Sequence, residues 1–254
     1  MKVEDIKKII GDKHLSKSRG QILLLDENIA KRIAYLIDNV KDNRILEIGP
    51  GLGIITGYLL DMGYKVAAVE IDKDFCKILR NRGIDVVNED FLKLTIDSSM
   101  PNFVLGALPF SVSLRILLKL KDYRNHFYQW IVIIQKEVAE RLTSKPNRKS
   151  YSSLSILFQI LYEMNIAFDI SPNSFFPKPE VTSTVIKAHL NKNPVIEVTK
   201  KFERFLQDIF RFRRKMLKNN LFDYNIKDIS ISLDRRAESL SIDEVVQIYK
   251  EVTM

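Results

Sequence analysis

Three short segments of this chain have the residue types and spacing to hold a nucleotide. Gly49-Pro50-Gly51-Leu52-Gly53 follows the apolar run ILEI. Glycines let a backbone turn tightly and approach a ligand where a side chain would collide. Glu70 ends the next β-rich run, 21 residues after Gly49. An acid there can accept hydrogen bonds from both ribose hydroxyls. A glycine turn alone also serves purely structural ends, but turn plus strand-terminal acid makes an adenosine site. The spacing discriminates further: G-x-G-x-G is present, whereas the dinucleotide pattern G-x-G-x-x-G fails because Ile54 holds its last position. Asp90, in NEDF at the end of the third run, is placed to meet an adenine amino group. A lone acid there can equally cap the next segment.

These residues need a frame. From residue 44 onward short β-rich runs (RILEI, YKVAAVEI, IDVVNED, NFVLGAL, QWIVIIQ) alternate with longer helical ones. That is the pattern of a parallel sheet covered on both faces. IITGYLLDM ends at Gly63 and DKDFCKILRNR at Gly83, each glycine suited to the left-handed residue that closes a helix, and Asp72 is placed as an N-cap. The polar stretch RLTSKPNRKS (141–150) reads as an exposed loop. A proline-rich stretch leads into the alternating run VTSTVIKAHL, and after NKNP the pattern turns helical. The expected organisation is an α/β, doubly wound domain over 1–190 and a small helical domain over 191–254.

Composition narrows the class. The 254 residues suffice for one α/β core and a minor appendage. Cys76 is the single cysteine, so no internal disulfide can form, and no apolar run approaches the roughly 20 residues of a membrane span. The opening MKVEDIKKII mixes acids with lysines, unlike a signal peptide; a cytoplasmic protein is expected. His14, His126 and His189 lack partners at metal-ligand or triad spacing, so no metal is expected. The formal charge of +8 and pI near 9.4 fit an anionic partner or a lysine-rich solvated surface. Clustering favours the partner. Basic residues gather without acids at Lys13, Lys17 and Arg19, at Arg141, Lys145, Arg148 and Lys149, and at Arg211, Arg213, Arg214, Lys215 and Lys218. Brought to one side, they would form a path for a phosphate backbone.

The motifs together resemble those of the KsgA-type ribosomal RNA adenine N6-dimethyltransferases, relatives of the Erm resistance methyltransferases. KSRGQILLLD (17–26) is similar to the family's GQNFL-x-D opening, and EIGPGLG, VEID and NEDFLKL to its cofactor motifs. GALPFSVS sits at the target-base motif, usually N-L-P-Y or N-I-P-F. QKEVAERL, KSYSSLSI, FFPKPEVTSTVI and the tail segments FRFRRKMLKNNL and RAESLSIDEV complete a likeness that runs through nearly the whole chain.

The resemblance implies a Rossmann-like domain that binds S-adenosylmethionine and methylates adenine in small-subunit ribosomal RNA within immature subunits, as a monomer. It implies cofactor contacts at Gln21, Ile22 and Leu24, at Gly49 and Gly51, at Glu70 and Ile71, at Asp90 and Phe91, and at Ala107. It places the target base at Ala107, Leu108, Pro109 and Phe110. RNA contacts are expected at Lys17, Arg19, Arg148, Lys149, Arg211, Arg213, Arg214 and Lys215. Two positions depart from the family: Ile22 and Ala107 stand where it has asparagine. Two functions are therefore carried forward, an active rRNA adenine methyltransferase and a non-catalytic factor that binds pre-ribosomal RNA during assembly. A small-molecule or DNA methyltransferase is disfavoured by the basic helical tail.

Overall fold

The structure, a computed structural model, describes residues 22–38, 40–226 and 229–253. Its frame is a seven-stranded sheet in the order β4-β3-β2-β5-β6-β9-β7. The strands are β2 (Arg44–Ile48), β3 (Lys65–Glu70), β4 (Asp85–Asn88), β5 (Phe103–Ala107), β6 (Gln129–Gln135), β7 (Tyr162–Ile170) and β9 (Ser183–Leu190). A separate two-stranded pair joins β1 (Leu23–Leu24) to β8 (Phe175–Phe176) antiparallel. The first five strands of this order run parallel. Their burial explains the near-continuous apolar runs: Trp130 to Ile134 are all buried, as are Val104 and Leu105.

Helices alternate with the parallel strands as the periodicity predicts: α1 (Glu27–Ala34) before β2, α2 (Ile54–Asp61), α3 (Lys73–Asn81) and, after β5, α4 (Ser113–Asp122). Asp72 caps α3 by accepting from the amides of Asp74 (2.9 Å) and Phe75 (3.3 Å). Gly63 and Gly83 close α2 and α3 at φ 83° and 76°. The chain leaves β2 toward β3 and β4 on one side and returns through β5 and β6 on the other. The strand order therefore reverses between β2 and β5, and the crevice at the carboxyl ends of these strands is where such folds bind ligands.

Two features depart from the expected frame. The sheet is mixed, since β9 pairs antiparallel with β6, His189 opposite Gln129. The edge strand β7 was not legible, because YEMNIAFDI has mixed polarity and only its first and last residues are buried.

The chain divides into two compact units. One holds the described residues up to Lys136 together with Asn165–His189. The other holds Glu137–Met164 and the described residues from Leu190 onward. The segment 137–164 thus groups with the C-terminal residues, unlike the expected cut at 190. Long-range bonds inside this unit give the reason. The Tyr151 hydroxyl donates to the Leu240 carbonyl (3.0 Å), and the Asn147 amide to that of Glu238 (2.8 Å). Among the described residues it holds all but the first residue of α5 (Lys136–Leu142), together with α6 (Ser153–Leu161), α7 (Lys200–Ile209) and α8 (Ile242–Thr253). Phe202 and Phe205 of α7 pack against Tyr249 of α8 with ring centroids 4.9 and 5.2 Å apart. The stretch 141–150 is not simply an exposed loop, because Leu142 and Ser144 are buried. Among the described residues no helix is long and apolar enough to cross a membrane.

Candidate active site

The glycine turn leaves β2 with Gly49, Gly51 and Gly53 all at positive φ (67°, 57° and 74°), which L side chains rarely adopt. Space is short as well: a Cβ on Gly51 would lie 2.8 Å from the Leu23 side chain, and one on Gly106 would meet the Ile48 carbonyl at 2.8 Å. β2 and β5 are thus held close enough for their ends to share one cavity. That cavity measures about 230 Å³ and lies within the α/β unit.

Of the expected cofactor residues, Ile22, Leu24, Gly49, Gly51, Glu70, Ile71, Asp90, Phe91 and Ala107 all line it. Gln21, Lys17 and Arg19 lie outside the described residues. Pro109 joins the lining, while Leu108 and Phe110 do not. The Leu108 side chain is buried in the core and its amide donates to the Ile133 carbonyl at 3.0 Å. Phe110 is half-buried, its carbonyl accepting from the Ser113 hydroxyl at 3.3 Å.

The wall that carries Ile22 and Leu24 is positioned from far along the chain. β1 pairs with β8, Leu23 opposite Phe176, and the Leu25 amide donates to the Ser174 carbonyl at 2.8 Å. The proline-rich segment therefore acts as a clasp for the strand beside the cofactor turn. Asp26 then starts α1 by capping the amides of Asn28 and Ile29.

Glu70 is buried, and its carboxylate accepts from the amides of Asp72 (2.8 Å) and Gly51 (3.2 Å). Burial raises its pKa, against the lowering effect of those amides. A carboxylate accepts about four hydrogen bonds, so capacity remains for a ligand hydroxyl. Asp90 accepts from the Leu92 amide at 2.9 Å. The loop behind it is pinned by Lys119 of α4, whose ammonium donates to the carbonyls of Phe91 (2.7 Å), Leu94 (2.6 Å) and Leu92 (3.2 Å). All three ammonium donors are spent on one loop. Burial lowers the Lys119 pKa, while the Asp90 charge opposes that shift.

Glu47 is a buried acid of the cavity lining that sequence reasoning missed. It is 2% exposed and its Oε2 accepts from the Thr56 hydroxyl at 2.6 Å. Burial is the main cause that raises its pKa to about 7; the Thr56 bond lowers it and the charge of Glu70 raises it. The available signal was an acid inside the otherwise apolar run ILEI. Two buried acids beside one cavity suit a ligand that carries positive charge, as a sulfonium with an ammonium group does. The chemistry of the lining thus fits S-adenosylmethionine. No group of His, Cys, Asp and Glu among the described residues is arranged to hold a metal.

The second unit holds two of the three basic clusters. Arg141, Arg148, Lys149 and Arg213 line a cavity of about 840 Å³. Arg141 pairs with Glu137 (2.6 Å) and Arg213 with Glu238 (3.4 Å). Arg211 to Lys215 are exposed in the turn that follows α7 instead of continuing the helix.

Comparison with known proteins agrees with this geometry. Residues 13–254 match the family described as ribosomal RNA adenine dimethylase. The chain is 39% identical over 255 residues to ribosomal RNA small subunit methyltransferase A of Thermotoga neapolitana, covering 98% of this chain and 95% of that one. It is 35% identical to the protein of the same name in Parabacteroides distasonis, covering 91% of each. Among solved structures its fold matches a dimethyladenosine transferase from Plasmodium falciparum, with a TM-score of 0.77, 20% identity and coverage of 90% of this chain and 96% of that chain. The 23S rRNA methyltransferase ErmE gives 0.75 and 22%, covering 91% and 100%.

Proposed function

Since the chain belongs to the ribosomal RNA adenine dimethylase family, we propose that it transfers methyl groups from S-adenosylmethionine to adenine N6 in small-subunit ribosomal RNA. In this reading it acts in the cytoplasm, as a monomer, on immature subunits. One observation carries it: the glycine turn, Glu70, Asp90 and Ala107, from four different strand ends, line one cavity at the point where the strand order reverses.

The cofactor, when bound, supplies an electrophilic methyl group on a sulfonium. The protein has to align the acceptor with it and exclude water. Gly49 and Gly51 admit the ligand close to the backbone, Glu70 accepts from ribose hydroxyls, and Ile71, Asp90 and Phe91 hold the adenine ring. Ile22 and Leu24 complete the wall, and Gln21 is a further cofactor contact in this reading. At the strand end the Leu108 carbonyl accepts from the target amino group, which favours the pyramidal nitrogen that attacks. Pro109 fixes that carbonyl, and Phe110 offers a ring for the extruded base. Transfer to that nitrogen would leave the cofactor as a neutral thioether and release one amino proton to solvent. Lys17, Arg19, Arg148, Lys149, Arg211, Arg213, Arg214 and Lys215 contact RNA phosphates.

A second reading is favoured by Ile22 and Ala107, two apolar side chains lining the cavity at positions where the family carries asparagine. It is a factor that binds pre-ribosomal RNA without transferring methyl. Immature small subunits incubated with methyl-labelled cofactor, followed by mapping of the modified base, separate the two. Label on adenine N6 of the small-subunit rRNA is expected. Tight subunit binding with no label would establish the second reading.

A further inference from the structure

The chain contains 14 phenylalanines, and only two of them, Phe212 (49% exposed) and Phe222 (59%), are exposed. Both fall in the same basic segment, RFRRKMLKNNLF, with the exposed Met216 between them. Scattered exposed apolar residues need no explanation. Confinement of the exposed phenylalanines to the most basic stretch of the chain does.

The segment is built to hold them outward. Asn220 is buried, its amide nitrogen donates to the Ile209 carbonyl (2.9 Å), and its carbonyl oxygen accepts from the Phe212 amide (3.0 Å). Leu217 and Leu221 are fully buried anchors, and the Leu217 amide donates to the Arg235 carbonyl (2.8 Å). The backbone under both rings is thus fixed, although the rings themselves bury little. Ordering of this kind lowers the entropy lost when a partner docks. The charges point to the partner. Arg214 and Lys215 make no ion pair or side-chain hydrogen bond among the described residues, whereas the Arg211 guanidinium is held by Asp208 (2.8 Å) and lies 5.7 Å from the Phe222 ring centroid. Exposed aromatic rings on the same segment as unpaired cations suit unpaired bases on a phosphate backbone. A duplex hides its base faces and offers these rings nothing.

We propose that Phe212 and Phe222 are stacking positions for unpaired bases of ribosomal RNA, with Arg214 and Lys215 on the flanking phosphates. The proposal rests on the reading of the C-terminal unit as RNA-binding and narrows its ligand to single-stranded segments.

The test uses the full-length protein, a short unstructured RNA and an RNA duplex. Trp130 is the only tryptophan of the chain and is fully buried, so Phe222→Trp adds a reporter at the proposed position. Its emission should be quenched by the single strand and not by the duplex, while the parent protein shows no change with either. Phe212→Leu and Phe222→Leu keep apolar bulk but lose the π-face. Each should weaken single-strand binding by about 5- to 100-fold, leaving duplex binding, the salt slope and the thermal transition unchanged. Arg214→Gln with Lys215→Gln should weaken both RNAs and flatten the salt dependence. Unaltered single-strand affinity in both leucine variants, or equal losses on both RNAs, would overturn the stacking proposal and leave RNA binding standing. Failure of the parent protein to bind either RNA would overturn both. A change in self-association of Phe222→Leu, with RNA binding intact, would mark the patch as a protein surface and also overturn it.

Discussion

Replacing Glu47 by glutamine isolates the effect of burying an acid beside the cofactor cavity. Burial raises the Glu47 pKa from an ordinary 4.5 to about 7. Between these values the folded protein holds a proton that the unfolded chain has released. Stability contributed by this group is therefore greatest at low pH and declines as pH rises through about 7. The interval corresponds to roughly 3 kcal/mol at 1.36 kcal/mol per unit. Glutamine has the same shape, stays neutral at every pH and can still accept from the Thr56 hydroxyl. Glu47→Gln should then match the parent near pH 5 and be the more stable protein at pH 8. With roughly 2–4 °C per kcal/mol for a chain of this size, the gap at pH 8 should reach several degrees in Tm. The same carboxylate should favour a cationic ligand, so parental affinity for S-adenosylmethionine should rise through pH 7. The cofactor's own titration is common to both proteins and cancels in the comparison; the variant should lack the extra rise. Thermal melts and calorimetry of both proteins across pH 5–8 read these effects. Parallel Tm curves over that range would refute the argument, because they would mean Glu47 is already ionised in the folded state.

Other changes probe the remaining parts of the site. Glu70→Ala should weaken cofactor binding about 10- to 100-fold in calorimetry, by removal of a charge-assisted contact and of the acceptor for the Gly51 amide. Lys119→Met releases three carbonyls of the loop behind Asp90. KM for the cofactor should rise with kcat and RNA affinity little changed, and equal losses in all three would show general misfolding instead. Ala107→Asn restores a side-chain carbonyl at the end of β5, and single-turnover methylation should accelerate by up to about 100-fold with RNA affinity unchanged. A measurable parental rate that falls in this variant would mean the pocket is organised around alanine. Arg148→Gln with Lys149→Gln should reduce the slope of RNA affinity against salt, and an unchanged slope would remove both from the phosphate contacts.

The sequence by itself determined what depends on local backbone preference and periodicity. The parallel strands inside the sheet, β2, β3, β5 and β6, were legible because near-continuous apolar runs are what a sheet covered on both faces requires. The turn at Gly49–Gly53 was legible because positive φ favours glycine. The Asp72 cap was legible because its partners are two and three residues away. The family followed from several such local motifs in one order. Only the tertiary structure decided which distant groups share an environment. Glu47 looks like any acid until Thr56 and Glu70 close over it, and the resulting loss of water is what raises its pKa. Lys119 reads as a solvated helix lysine until its ammonium finds carbonyls 25 to 28 residues upstream. Segment 137–164 reads as part of the first domain until Tyr151 bonds Leu240, 89 residues on. Local conformation is set by a residue and its near neighbours. Burial, desolvation and long-range pairing are set by which surfaces the folded chain brings together, and no short window of sequence contains that information.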